Sequence, residues 1–160
     1  MKPVIIGMAE LDVVKCPQNI TTLGLGSCVG VCLYDKATKV GGMVHVVLPD
    51  SRNAAGGTNR AKFADTGVVE LYERMIKAGA RKATIVAKLA GGAHMFGGAM
   101  KSDALKVGER NAFNSKMALL KLRIPIIAED LGGEFGRTIE LDTNDGMLMI
   151  RTVGKGAKKI

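Results

Sequence analysis

The sequence predicts an α+β fold, a layered sandwich in one domain, and three observations predict it. Strand-like segments outnumber helical ones, and most follow one another directly along the chain, which a doubly wound parallel sheet would not produce. The 160 residues contain no internal repeat and no low-complexity linker. A chain of that length buries a sufficient core without disulfide or metal staples.

Strands are expected over roughly Val4–Val14, Ile20–Leu25, Cys28–Tyr34 and Lys39–Leu48, each rich in Val, Ile or Leu and bounded by Gly, Pro, Asn or Asp. Pro49–Asn59 is polar and reads as a loop. A helix is expected from about Arg60 to Ala78, because Val68, Leu71, Tyr72, Met75 and Ile76 recur at helical spacing and Gly79 suits the position past its end. Ala83–Leu89 reads as a buried strand entering the glycine turn Gly91-Gly92-Ala93. A second helix is expected over Val107–Arg123, with Phe113, Met117 and Leu120 as its apolar stripe, then a short strand over Ile124–Ala128. Thr138–Asp142 and Met147–Val153 flank Thr143-Asn144-Asp145-Gly146 as a closing hairpin. Residues 1–153 then make up the domain and 154–160 a basic C-terminal tail.

Composition excludes several classes. Apolar residues at 47% exclude disorder for most of the chain. No apolar run approaches the ~18–20 residues a membrane span needs, and the first thirty residues lack a signal-peptide pattern. Three cysteines, an odd number without an export signal, point to reduced thiols in the cytoplasm. The net charge is +8, and half of it sits in the last ten residues on Arg151, Lys155, Lys158 and Lys159. With 4% aromatics and no groove-reading motif, that charge argues for solubility and an acidic partner, not for nucleic acid.

The informative stretch is TTLGLGSCVGVCLYDKATKVGGMVHVVLPDS, Thr21 to Ser51. A hairpin loop centred between Lys36 and Ala37 pairs residues whose numbers sum to 73, which sets Cys28 opposite His45 on one face. An imidazole beside a thiol can hold it as a thiolate–imidazolium pair and later protonate a leaving group. The turn Gly24-Leu25-Gly26-Ser27 leads into Cys28, and its glycines let backbone N–H groups approach a substrate carbonyl. Thr21 or Thr22 is placed to fix the tautomer of His45. The plain alternative is a Cys and a His that are simply core residues in adjacent strands.

The remaining signals are weaker. Cys32 faces Gly41 and reads as packing; Cys16, beside Pro17, has no visible partner. Cys28, Cys32, His45 and His94 lack the paired spacing of a zinc site, so no metal is expected. The run GLGSCVG lacks the spacing of a dinucleotide fingerprint. At and just past GGAHMFGG, Met95 and Met100 flank Phe96; most methionines read as core filler, but an exposed Met/Phe patch there would suit a partner helix. GERN, at Gly108–Asn111, reads as a helix start with exposed charge.

TLGLGSCVGVCLYD followed by GGMVHVVLPDS resembles the signature of the chemoreceptor glutamine deamidases, the CheD family, and KFADTGV, AKLAGGAHMF, GERN and AEDLGG follow in the family's order. The resemblance runs from about Ile5 to Val153. It implies a single-domain three-layer α/β/β sandwich, similar to the deamidase domain of cytotoxic necrotizing toxins. It implies Cys28 as nucleophile, His45 as its histidine and Thr22, between the two threonines, as the third member, with oxyanion donors at Gly26, Ser27 and the Cys28 amide. The implied activity is cofactor-free hydrolysis of glutamine side chains on methyl-accepting chemoreceptors, in the cytoplasm, with a CheC-type response-regulator phosphatase as partner. Family members often carry a smaller polar residue where His94 stands, and no catalytic part is implied for it. A second reading is a non-catalytic binding module that regulates the phosphatase or the receptors.

Overall fold

Strands β4 (Val29–Asp35) and β5 (Val40–Val46) are buried along their whole length, and the pleat sends their side chains into two different cores. Val29, Val31, Leu33, Val44 and Val46 point to one side, where they meet helices α1 (Ala64–Lys77) and α2 (Val107–Lys121) through Val68, Leu71, Met75 and Leu119. Cys28, Cys32 and Met43 point to the other, against Ile20, Leu25, Ile139, Leu141, Leu148 and Ile150 of a second sheet. Burial on both faces explains why VGVCLYD shows no apolar–polar alternation.

The computed structural model describes residues 1–52, 59–95 and 106–160. Residues 53–58 and 96–105 lie outside the described residues; they include Phe96, Met100 and the centre of the predicted 49–59 loop. The described chain is a mixed α/β domain with two helices and two five-stranded sheets. The first sheet orders β1 (Val4–Ile6), β3 (Ile20–Leu25), β8 (Arg137–Leu141), β9 (Leu148–Thr152) and β10 (Gly156–Lys159). The second orders β2 (Leu11–Lys15), β5, β4, β6 (Ile85–Gly91) and β7 (Ile126–Leu131). Pairing is antiparallel except for β1 with β3 and β6 with β7. Among the described residues no helix is long and apolar enough to cross a membrane.

Five expectations are corrected. The single strand over Val4–Val14 is two strands in different sheets, because the chain turns at Gly7-Met8-Ala9 with Ala9 at φ +59°. The first helix begins at Ala64, behind a short 3-10 turn over Arg60–Lys62 that Asn59 caps through its bond from the Ala61 N–H. The strand placed at Ile124–Ala128 lies two residues later, since Ile124 serves as a core residue at the end of α2.

The fourth correction concerns α2. Phe113 and Leu120 are 63% and 67% exposed, and Met117 also faces outward. The buried face is Gly108, Asn111, Ser115, Ala118 and Leu119. A Cβ on Gly108 would stand 2.6 Å from the Ala93 carbonyl oxygen. The helix therefore sits so close to the glycine turn that small side chains are needed there, and the large apolar ones are turned out.

Fifth, the segment expected as a basic tail carries β10, which pairs with β9 over Gly156–Lys159. Lys158 and Lys159 stay exposed at the sheet edge, where charge opposes edge-to-edge association. Ile160 closes the strand, exchanging both backbone hydrogen bonds with Leu148.

Candidate active site

The hairpin that carries the cysteine and the histidine closes one residue later than expected, which shifts its pairing by two. Asp35 pairs with Val40 and Gly30 with His45, so opposing numbers sum to 75. Asp35 looks like a turn residue but is fully buried, its carboxylate accepting from Ala37 N–H, Thr38 Oγ1, Arg81 N–H and Thr84 Oγ1. That makes it the last strand residue and moves the loop to Lys36–Lys39, with Lys39 in the left-handed region at φ +57°. A two-residue shift preserves the face. Cys28, one residue before β4, is therefore diagonal to His45 instead of opposite it. Diagonal neighbours on one face have Cα atoms about 7–8 Å apart, within side-chain reach. The position opposite His45 is Gly30, where a Cβ would come within 2.5 Å of Ile139 Cδ1, so the second sheet fills that space.

His45 is fully buried and held on every side. Its N–H donates to Glu10 O and its carbonyl accepts from Ala9 N–H, both at 3.0 Å. Its Nδ1 lies 2.7 Å from Thr22 Oγ1. The Thr22 hydroxyl has one proton, and that proton goes to Ile6 O at 2.8 Å. The contact with His45 is consequently Nδ1–H donating to Thr22 Oγ1, which leaves the lone pair on Nε2. Nε2 is buried and has no partner among the described residues. Thr21 is used elsewhere, donating to Ile139 O at 2.6 Å. Immediately after Thr22 the β3–β8 register breaks before Leu25, and Gly24 in that bulge takes φ +71°.

Cys28 is 7% exposed. Burial pushes its thiol up, opposed by its own backbone N–H, while burial pushes the His45 imidazole down. Both directions favour the neutral form of each group, and no hydrogen bond joins the Cys28 thiol to His45 Nε2, in place of the ion pair expected from sequence. The loop around the thiol is fixed through three consecutive carbonyls. Gly26 O accepts from Ala93 N–H at 2.8 Å, Ser27 O from Asn111 Nδ2 at 2.9 Å, and Cys28 O from Gly92 N–H at 2.9 Å. Gly91, at φ +112°, is required for this approach, because a Cβ there would stand 2.3 Å from Cys28 O. The glycine turn thus grips the Cys28 loop. Gly26 and Ser27 are half-buried, and Met95 packs over Gly26.

The other thiols differ in their surroundings: Cys32, opposite Met43, is the second diagonal neighbour of His45 but lies wholly inside the core between the sheets. Cys32 is fully buried, and desolvation holds its thiol at about 12; Cys16 donates to Asn144 Oδ1 at 3.2 Å. His94 meets Glu109 at 3.2 Å on the surface. Among the described residues no three His, Cys, Asp or Glu side chains gather as a metal site.

Two residues missed by the sequence reading organise the surroundings. Asn111, taken as part of an exposed helix start, is fully buried and also donates to Val47 O at 3.0 Å. Buried Arg137 donates to Gly91 O and Gly132 O and lies 3.4 Å from Asp130, bracing the glycine turn. A polar residue at a position that helical spacing places inward, as Asn111 is in GERNAFNSKMALL, was the available signal.

A family model described as CheD chemotactic sensory transduction matches residues 47–152, starting just past His45. Full-length relatives extend the match over the candidate site. A protein of Lachnoclostridium phytofermentans is 54% identical over 97% of this chain and 96% of its own length. One of Caldanaerobacter subterraneus subsp. tengcongensis is 50% identical over the same shares. One of Clostridium botulinum is 46% identical over 100% of this chain and 99% of its own length. Each of the three bears the name "Probable chemoreceptor glutamine deamidase CheD".

Proposed function

The chain belongs to the CheD family of chemotactic sensory transduction, and from that premise we propose that it deamidates glutamine side chains of methyl-accepting chemoreceptors to glutamate by a Cys28–His45–Thr22 thiol mechanism. One observation carries the mechanism: Thr22 fixes the His45 tautomer so that its only free lone pair, on Nε2, is buried on the sheet face that also carries Cys28.

In the first half-reaction the Cys28 thiol proton passes to His45 Nε2 as Sγ bonds to the glutamine Cδ. The carbonyl π electrons move to oxygen, where the N–H groups of the Gly26-Ser27-Cys28 loop receive the charge. His45 then returns the proton to the nitrogen, the C–N bond breaks, and ammonia leaves a thioester. In the second, His45 takes a proton from water, the hydroxide adds to the thioester carbon, and collapse expels Sγ, which recovers its proton. Amide and water become carboxylate and ammonium. Starting from the neutral pair, no thiolate need exist at rest. No cofactor or metal enters the scheme.

The finer fold reading belongs with this proposal. The helical core against one sheet and the sheet-on-sheet core support a three-layer α/β/β sandwich of the toxin-deamidase kind. The family relationship also supports a cytoplasmic protein and a CheC-type phosphatase as partner, covering the same face as the receptor.

The test is ammonia release and the glutamine-to-glutamate mass change on receptor fragments, wild type against Cys28→Ala. Conversion that depends on Cys28 is expected; equal conversion by both proteins would refute the thiol mechanism.

A further inference from the structure

The nucleophile loop is aimed from outside itself, through its carbonyls. Cys16–Pro17 is the one cis peptide among the described residues, so the Gly26–Ser27 and Ser27–Cys28 bonds are trans. In a trans peptide the C=O and the N–H point in opposite directions. Holding Gly26 O on the Ala93 N–H therefore turns the Ser27 N–H away from the glycine turn. Holding Ser27 O on Asn111 Nδ2 turns the Cys28 N–H away from α2.

Asn111 is the side chain in this arrangement. Its two amide protons go to Ser27 O at 2.9 Å and Val47 O at 3.0 Å. Carbonyl oxygens only accept, so the nitrogen must face both of them and the carboxamide has one orientation. The donated pair joins the peptide before the nucleophile to the chain two residues beyond His45. The arrangement leaves Asn111 Oδ1 buried with no partner among the described residues, a cost that an apolar residue at this place in α2 would avoid.

Resting on the reading of Cys28 as the nucleophile of amide hydrolysis, we propose that Asn111 is a positioning residue. It sets the plane of the Ser27–Cys28 peptide so that the Cys28 N–H meets the oxyanion of the tetrahedral intermediate.

The experiment compares the full-length wild type with Asn111→Ala, Asn111→Ser and Cys28→Ala. It measures kcat and KM on a glutamine-bearing receptor fragment, the rate of Cys28 alkylation by iodoacetamide, and the thermal midpoint. Alkylation displaces iodide from a saturated carbon and develops no oxyanion. For Asn111→Ala, kcat is expected to fall roughly 10²-fold, as on loss of one oxyanion donor. KM and the alkylation rate should stay within about threefold, the pattern of a contact made only in the transition state. Asn111→Ser, with one donor left, should recover part of kcat. Unchanged kcat overturns the proposal. So do a parallel fall in kcat and alkylation, or loss of folding in both variants, because either makes Asn111 a plain scaffold residue. If wild type and Cys28→Ala convert the fragment equally, the thiol mechanism itself fails, whatever Asn111 does.

Discussion

His45 Nδ1 donates to Thr22 Oγ1 across 2.7 Å because the threonine proton is already committed to Ile6 O. One backbone carbonyl, three residues into β1, thereby decides which nitrogen of the imidazole keeps its lone pair.

Replacing Thr22 tests that chain of dependence. Thr22→Val keeps the shape and removes the acceptor, so Nδ1–H loses its partner and the tautomer is no longer fixed. We expect kcat/KM for deamidation to fall by about 10²-fold or more, as when a triad's orienting member is removed. Thr22→Ser, which keeps the oxygen, should restore most of the rate. Equal rates for wild type and Thr22→Val would show that the hydroxyl does not orient the base.

The pH dependence follows from two opposite shifts. Burial lowers the His45 value below its ordinary 6.5, so the folded state binds fewer protons than the unfolded one just below that pH. Its stabilising contribution is full above 6.5 and is lost as pH falls through the folded value. Burial raises Cys28 above 9.0 and Cys32 to about 12. Their contributions are full below 9.0 and are lost as pH rises through the folded values, which for Cys32 is about 12. Urea titrations across pH should show both flanks. Iodoacetamide labelling of Cys28 should still be accelerating beyond pH 9.0; a plateau reached below neutrality would mean that the ion pair is the resting state.

Asp35 holds the hairpin register. Burial alone would raise its carboxyl, but hydrogen bonds from Thr84, the Arg81 N–H, Thr38 and the Ala37 N–H prevail and hold it at about 2. Its contribution is complete above 3.8 and disappears as pH falls toward 2. Asp35→Ala strips four donors of a charged acceptor, and we expect a loss of about 3 kcal/mol. Denaturant midpoints measure it; a loss below about 0.5 kcal/mol, the range of ordinary surface changes, would remove Asp35 from that role.

The outward stripe of α2 makes a contrasting case. Leu119→Ala should cost about 3 kcal/mol through a core cavity. Phe113→Ser and Leu120→Gln should change stability by no more than about 0.5 kcal/mol, being on the surface. A loss above about 1 kcal/mol for either would return the stripe to the core, against its observed exposure.

These cases mark where sequence was readable. Val68, Leu71 and Met75 lie on the buried face of α1 at the spacing that announced them, and the β8–β9 hairpin surrounds its Asn-Asp-Gly turn. Pairing arithmetic put Cys28 and His45 on one face but missed the register by two, since nothing local reveals that Asp35 is bonded to Arg81 and Thr84, some fifty residues away. Periodicity located α2 and chose the wrong face, because the choice depends on how closely Gly108 approaches Ala93 O. The 154–160 segment was misread for a similar reason. An edge strand is held by backbone bonds to β9, and its lysine-rich composition carries no trace of them. Asn111 was passed over because its two acceptors belong to segments 84 and 64 residues distant.

The confinement of His45 between β3, β5 and the 9–10 segment has a thermodynamic consequence. The rotational freedom of that imidazole is surrendered once, when the chain folds, and not again at each binding event. A site whose imidazole is already fixed has less to immobilise when a ligand binds, so modest affinity is compatible with turnover.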